Sequence, residues 1–119
     1  GSGDNGCVQS VAFTWDMPVE LVLCLGDDPD TGDLPDDVAE QARNALSAID
    51  DTLVQAGASI RNVVQARVYL TDGADLGAVA SVLGEVFRDI RPTNTMIVCQ
   101  IPRPGAKVEI EVTASIAKG

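Results

Sequence analysis

Apolar residues recur along this chain with two periods, one of two residues and one near 3.6, and these divide it into strands and helices. Cys7–Thr14 and Val19–Leu25 are short, apolar and rich in β-branched residues, which predicts strands joined by a turn near Asp16–Pro18. Val19, Leu21, Leu23 and Leu25 fall on one face of the second strand, because successive strand side chains point to opposite sides. Gly26–Asp37 is dense in Asp, Gly and Pro and reads as a loop. A helix follows. Pro35 suits a first helical position, Asp36 and Asp37 favour the positive end of the helix dipole, and Asp37 with Glu40 has capping-box spacing. Val38, Ala42, Ala45, Ile49, Leu53 and Ala56 recur at helical spacing, and Gly57 is a natural stop.

Val63–Leu70 reads as a third strand, with Val64, Ala66, Val68 and Leu70 on one side. Thr71 and Asp72 offer caps for a second helix reaching about Asp89, with Leu76, Val79, Ala80, Leu83 and Phe87 facing inward. Arg91-Pro92 ends it, since a residue before proline is pushed out of the helical region. Thr95–Ile101 is a fourth strand. Lys107–Ile116 is a fifth, with Val108, Ile110, Val112, Ala114 and Ile116 toward the core and Lys107, Glu109, Glu111, Thr113 and Ser115 away from it. The order ββαβαββ predicts an α/β (α+β) domain, a mixed sheet with two helices packed on one face. The other face is left uncovered, which predicts oligomerisation. One domain is expected over 7–119. Residues 1–6, opening Gly1-Ser2-Gly3, read as an expression scar or a flexible N-terminus.

Composition narrows the chemistry. A chain of 119 residues supports one hydrophobic core. Apolar residues make up 45%, yet no run approaches the ~20 a membrane helix needs, and the start lacks the basic and apolar stretches of a signal peptide. No membrane partner and a cytoplasmic location are therefore expected. Eighteen acidic residues against eight basic ones give a net charge of −10, which weighs against nucleic acid, whose phosphates are bound by clustered Lys and Arg. Cys7, Cys24 and Cys99 are odd in number, form no Cys-x-x-Cys pair and lie in apolar runs, so reduced buried thiols are expected. Histidine is absent, which excludes Ser-His-Asp and Cys-His catalysis and His-based metal sites. The Asp-rich loop does not fit an EF-hand: with Gly32 as the central glycine, Pro29 falls on a ligand position and Val38 where the closing Glu belongs. No metal is expected. Glu109 and Glu111, two apart on one strand face, are either paired carboxylates or simply a polar strand face.

Several words stand in a telling order: Pro29-Asp30-Thr31-Gly32, Val38-Ala39-Glu40-Gln41-Ala42-Arg43, Gln55-Ala56-Gly57-Ala58-Ser59, Val63-Val64 leading to Val68-Tyr69-Leu70-Thr71-Asp72, Arg91-Pro92, and Val108-Glu109-Ile110-Glu111. Together they resemble the Rid (YjgF-type, reactive intermediate deaminase) family from about Val19 to Ala117. The resemblance implies a chorismate-mutase-like fold and a homotrimer whose sheets form a central barrel, with clefts between subunits. It also implies cofactor-independent hydrolysis of enamines and 2-imino acids to keto acids and ammonia. In that family an Arg just after the helix-ending proline binds the substrate carboxylate, and a Glu on the last strand helps position water.

Glu109 stands at the position of that Glu, and is the expected catalytic and ligand-binding carboxylate. The Arg position, two beyond Pro92, is Asn94, expected to be the second ligand contact. Asn donates only neutral hydrogen bonds where Arg gives a charged fork, a loss of about 2–4 kcal/mol or one to three decades. Arg91 and Arg103, the nearest alternatives, are expected at the surface, since Arg is mostly exposed. The family's Ser-Gly-Gln word at the end of strand two is replaced by Leu23-Cys24-Leu25-Gly26. Ala48, Ala80, Leu83 and Val86 stand at helix positions where the family often has Asn, Tyr or Phe. Two expectations follow. One is a homotrimer whose clefts bind a small metabolite, with weak or absent imine deaminase (hydrolase) activity. The other is a structural or engineered trimeric building block with idle clefts, joined to a second protein component in a larger assembly.

Overall fold

The computed structural model describes residues 7–14 and 17–115, so residues 1–6, 15–16 and 116–119, with Asp16 of the expected turn and Ile116 of the expected fifth strand, lie outside it. The strands are β1 (Cys7–Thr14), β2 (Met17–Leu25), β3 (Val63–Leu70), β4 (Thr93–Val98) and β5 (Val108–Ser115); the helices are α1 (Val38–Gln55) and α2 (Leu76–Phe87). They form a five-stranded sheet in the order β1-β2-β5-β3-β4. Only β3 and β4 pair in parallel; the other neighbours are antiparallel. Because β5 pairs antiparallel with both β2 and β3, those two run the same way, and α1 is the crossover between them. α2 is the crossover from β3 to β4. Both helices cover one face, where Val22, Ala66, Val68, Ile110 and Val112 meet Ile49 and Leu53 of α1 and Val79 and Phe87 of α2. This is the predicted mixed sheet with two helices on one face.

The element boundaries shift for local reasons. α1 begins at Val38 with Asp37 as its cap, the carboxylate Oδ2 accepting from the Glu40 N–H at 3.0 Å. Pro35 therefore sits before the helix. α2 is entered through a short 3-10 turn, Gly73–Asp75, capped by Asp72. That turn rotates its faces: Val82 joins the core, while Leu76, expected inside, is 44% exposed. β4 stops at Val98 rather than Ile101 because it is an edge strand whose only partner ends there: Val98 is opposite Leu70, the last residue of β3.

Two strand faces differ from simple alternation. In β3 the pairing with β5 slips between Val63 and Gln65, so Val63 is buried against Ala114 and Val64 is 51% exposed. In β2 the helix-facing residues are Glu20, Val22 and Cys24, all fully buried. Leu21, Leu23 and Leu25 lie on the open face, opposite Thr113, Glu111 and Glu109 of β5.

The expectation of reduced thiols throughout is corrected. Cys7 and Cys24 are direct cross-strand partners in the β1–β2 hairpin and form a disulfide, leaving Cys99 free and partly buried. The helix substitutions Ala48, Ala80, Leu83 and Val86 lie on the packed sides of α1 and α2. Leu83 is in the core, Ala48 and Val86 pack against it, and Ala80 is half-buried.

Gln41 ties this frame to the site. Fully buried on α1, it donates from Nε2 to the carbonyls of Pro35 (2.7 Å) and Gly105 (2.9 Å). Its Oε1 accepts from the Lys107 N–H at 2.9 Å, which fixes the chain two residues before Glu109.

Candidate functional site

Glu109 projects from β5 onto the open face, flanked by Leu25 on β2 and Tyr69 on β3. Its neighbour Glu111 is already engaged: Oε1 accepts from the Tyr69 hydroxyl at 3.0 Å and from Arg67 Nη1 at 3.4 Å. Among the described residues Glu109 has no such partner. Partial burial, and then the nearby Glu111 carboxylate, push its carboxyl above the ordinary range. Tyr69 is raised too, by burial first and then by its hydrogen bond to Glu111. The two carboxylates share one strand face but differ in their surroundings. Glu111 is held by Tyr69 and Arg67, whereas Glu109 has no hydrogen-bond or ionic partner among the described residues and a carboxyl raised above the ordinary range.

Asn94 lies elsewhere. In the parallel register of β3 and β4 it is opposite Ala66, and Met96 is opposite Val68, both on the helix-facing side. There Asn94 lines an open groove of about 560 Å³ between α2 and β4, with Leu83, Phe87, Met96, Arg88 and Arg91. The two expected site residues therefore occupy opposite faces of one sheet, and a single chain does not bring them together.

Arg103 and the acidic loop have other work. Arg103 Nη1 donates to the buried Asp27 carboxylate at 2.6 Å, and its Nη2 donates to the Gly32 carbonyl at 3.2 Å. Asp28 Oδ1 accepts from the N–H groups of Asp30 (2.8 Å) and Thr31 (3.2 Å), closing the loop on itself. Arg91 is exposed as expected, yet it shares the groove of Asn94, as does Arg88. The sequence signal was available: both follow the last residue of α2 and stand within one turn of Pro92, which precedes β4.

The family model described as Endoribonuclease L-PSP matches residues 8–116. The chain belongs to this family, the Rid or YjgF family. The 2-iminobutanoate/2-iminopropanoate deaminase of the goat, Capra hircus, is 40% identical over 107 residues, covering 88% of this chain and 77% of that protein. A YjgF-family crystal structure from Mycobacterium tuberculosis is 37% identical with a TM-score of 0.70, covering 81% of this chain and 79% of its own. Escherichia coli TdcF with bound serine is 29% identical with a TM-score of 0.72, covering 82% and 81% respectively. These neighbours share the chorismate-mutase-like fold expected for a Rid domain. Among the described residues no helix is long and apolar enough to cross a membrane.

Proposed function

We propose that this Rid-family chain works as a homotrimer whose intersubunit clefts take a small carboxylate-bearing metabolite, and that it hydrolyses 2-imino acids only weakly. The observation that carries this reading is the separation of Glu109 and Asn94 onto opposite sheet faces. A site needing both is incomplete in one chain. It closes when the edge strand β4 of one copy meets the open face of another.

In such a cleft water adds to the imine carbon, the carbon–nitrogen bond breaks, and a keto acid and ammonia leave. Glu109, with its raised affinity for a proton, orients the water, takes its proton and returns it to the departing nitrogen, which leaves as ammonia. Asn94 offers neutral hydrogen bonds where a fixed charge would orient the substrate carboxylate, hence the weak turnover. The name of the goat relative motivates the substrate class. The proposed compartment is the cytoplasm.

The test is hydrolysis of freshly generated 2-iminobutanoate by the chain, Asn94→Arg and Glu109→Gln. Slow turnover is expected in the chain. Asn94→Arg should raise kcat about 10- to 1000-fold, and Glu109→Gln should abolish what is present, a loss of about 100-fold or more. Turnover of the unaltered chain equal to that of the goat enzyme would remove the role assigned to Asn94. Activity that survives Glu109→Gln would remove that of Glu109.

A further inference from the structure

Two arginines, Arg88 and Arg91, line the groove between α2 and β4 together with Asn94. Among the described residues neither has an ionic partner, and nor does the exposed Arg61, whereas Arg43, Arg67 and Arg103 sit against Glu85, Glu111 and Asp27. With 18 acidic residues available to 8 basic ones, two neighbouring arginines left unpaired in one groove run against the charge balance of the whole chain. The backbone adds an independent sign. Arg91 has φ 54°, the only non-glycine residue at positive φ among those described. Its N–H closes the end of α2 by donating to the Phe87 carbonyl at 3.1 Å, a position that ordinarily takes Gly or Asn. An Arg there costs about 1 kcal/mol relative to glycine. A cap alone would not select it.

The rest of the groove suits a small organic acid. Leu83, Phe87 and Met96 give an apolar floor, Asn94 a neutral polar group, and the arginines a cationic rim. We propose that Arg88 and Arg91 hold the ligand carboxylate in this groove, replacing a grip at residue 94. Forked, charge-assisted hydrogen bonds from a guanidinium are what a carboxylate requires and an asparagine lacks. The inference deepens the cleft reading above and rests on it for the ligand class, a short 2-oxo or 2-imino acid. It also separates binding from turnover: a carboxylate anchored at the end of α2 is retained, but it is not placed as a charge at residue 94 would place it.

The experiment is calorimetric titration of 2-oxobutanoate, the keto acid formed from 2-iminobutanoate, and of its uncharged methyl ester. The chain is compared with Arg88→Gln, Arg91→Gln and Arg91→Gly, each also followed by thermal melting. The acid should bind at least about 10-fold tighter than the ester. Arg88→Gln and Arg91→Gln should each weaken the acid about 10-fold and leave the ester unchanged. Arg91→Gly should lose the same affinity while melting at a higher temperature, because glycine adopts positive φ without strain, and this separates binding from folding. Unchanged acid affinity in the glutamine variants, or a chain that does not distinguish acid from ester, overturns the proposal. The deaminase reading is judged separately: hydrolysis that survives in Arg88→Gln and Arg91→Gln with unaltered KM sinks this inference alone. Arginine-dependent binding in a chain that hydrolyses nothing supports it and sinks the catalysis.

Discussion

Glu109 shows how surroundings set the chemistry of one side chain. Its neighbour Glu111 has the same chemistry two residues away, but Tyr69 and Arg67 hold that carboxylate. Glu109, between Leu25 and Tyr69, has desolvation and a like charge acting in the same direction, so its carboxyl keeps its proton to higher pH than an ordinary Glu. A carboxyl whose folded-state affinity for the proton is raised contributes stability below its unfolded range, near ~4.3, and loses that contribution as pH rises through the folded value. Glu109→Gln removes the titration. The variant should therefore gain in urea midpoint over the parent chain at pH 7 and show no gain at pH 3. A difference of equal size at both pH values would mean that packing, not ionisation, separates the two. The same comparison of surroundings explains why Arg103 is no substrate grip: Asp27 and the Gly32 carbonyl already hold its guanidinium.

At the scale of elements, period carried most of the fold. β5 alternates without a break, and α1 repeats its apolar positions for 18 residues, so both were legible directly. Where period misled, a contact outside the element decided the outcome. A slip in pairing with β5 turned Val64 outward, and the 3-10 turn before α2 exchanged Leu76 for Val82. The Cys7–Cys24 bond was hidden for a different reason. Hairpin register puts those residues opposite each other, but spacing in isolation suggests no pair. Gln41 and Gly26 were likewise silent, because their roles depend on how β2 and α1 approach. A Cβ on Gly26 would lie 2.3 Å from the Gln41 carbonyl oxygen and 2.5 Å from its Cα, both backbone atoms that cannot turn aside. Gly26→Ala must therefore push α1 off the sheet, at a cost of about 1–3 kcal/mol in urea unfolding. Gly77→Ala, on α2 with nothing within 4 Å, should instead stabilise by up to about 1 kcal/mol. Similar effects at the two sites would contradict the close approach.

For the whole molecule, the open face of the sheet and the charge of the chain pull in opposite directions. Leu21, Leu23 and Leu25 lie half-buried on that face beside Glu109, Glu111 and Thr113, apolar surface that a lone chain leaves partly in water. Each copy also carries a net charge of −10, so bringing three together gathers like charge. Eight basic residues against eighteen acidic ones give little of the clustered positive charge that phosphate backbones need, although the family model is described as an endoribonuclease. If apolar burial drives assembly against this repulsion, the trimer should tighten as salt rises. Screening shortens the reach of the repulsion, to roughly 8 Å at 0.15 M, while the apolar contact is unaffected or strengthened. Sedimentation equilibrium should then give three times 12.4 kDa at moderate salt, with dissociation first seen on dilution into low salt. Leu23→Asp puts a charge opposite Glu111 in the same face and should leave a folded 12.4 kDa monomer. Assembly that loosens with salt would point to ionic contacts between subunits instead. A unit mass of 12.4 kDa at every salt concentration would leave Glu109 and Asn94 on separate surfaces, and with them the cleft would go.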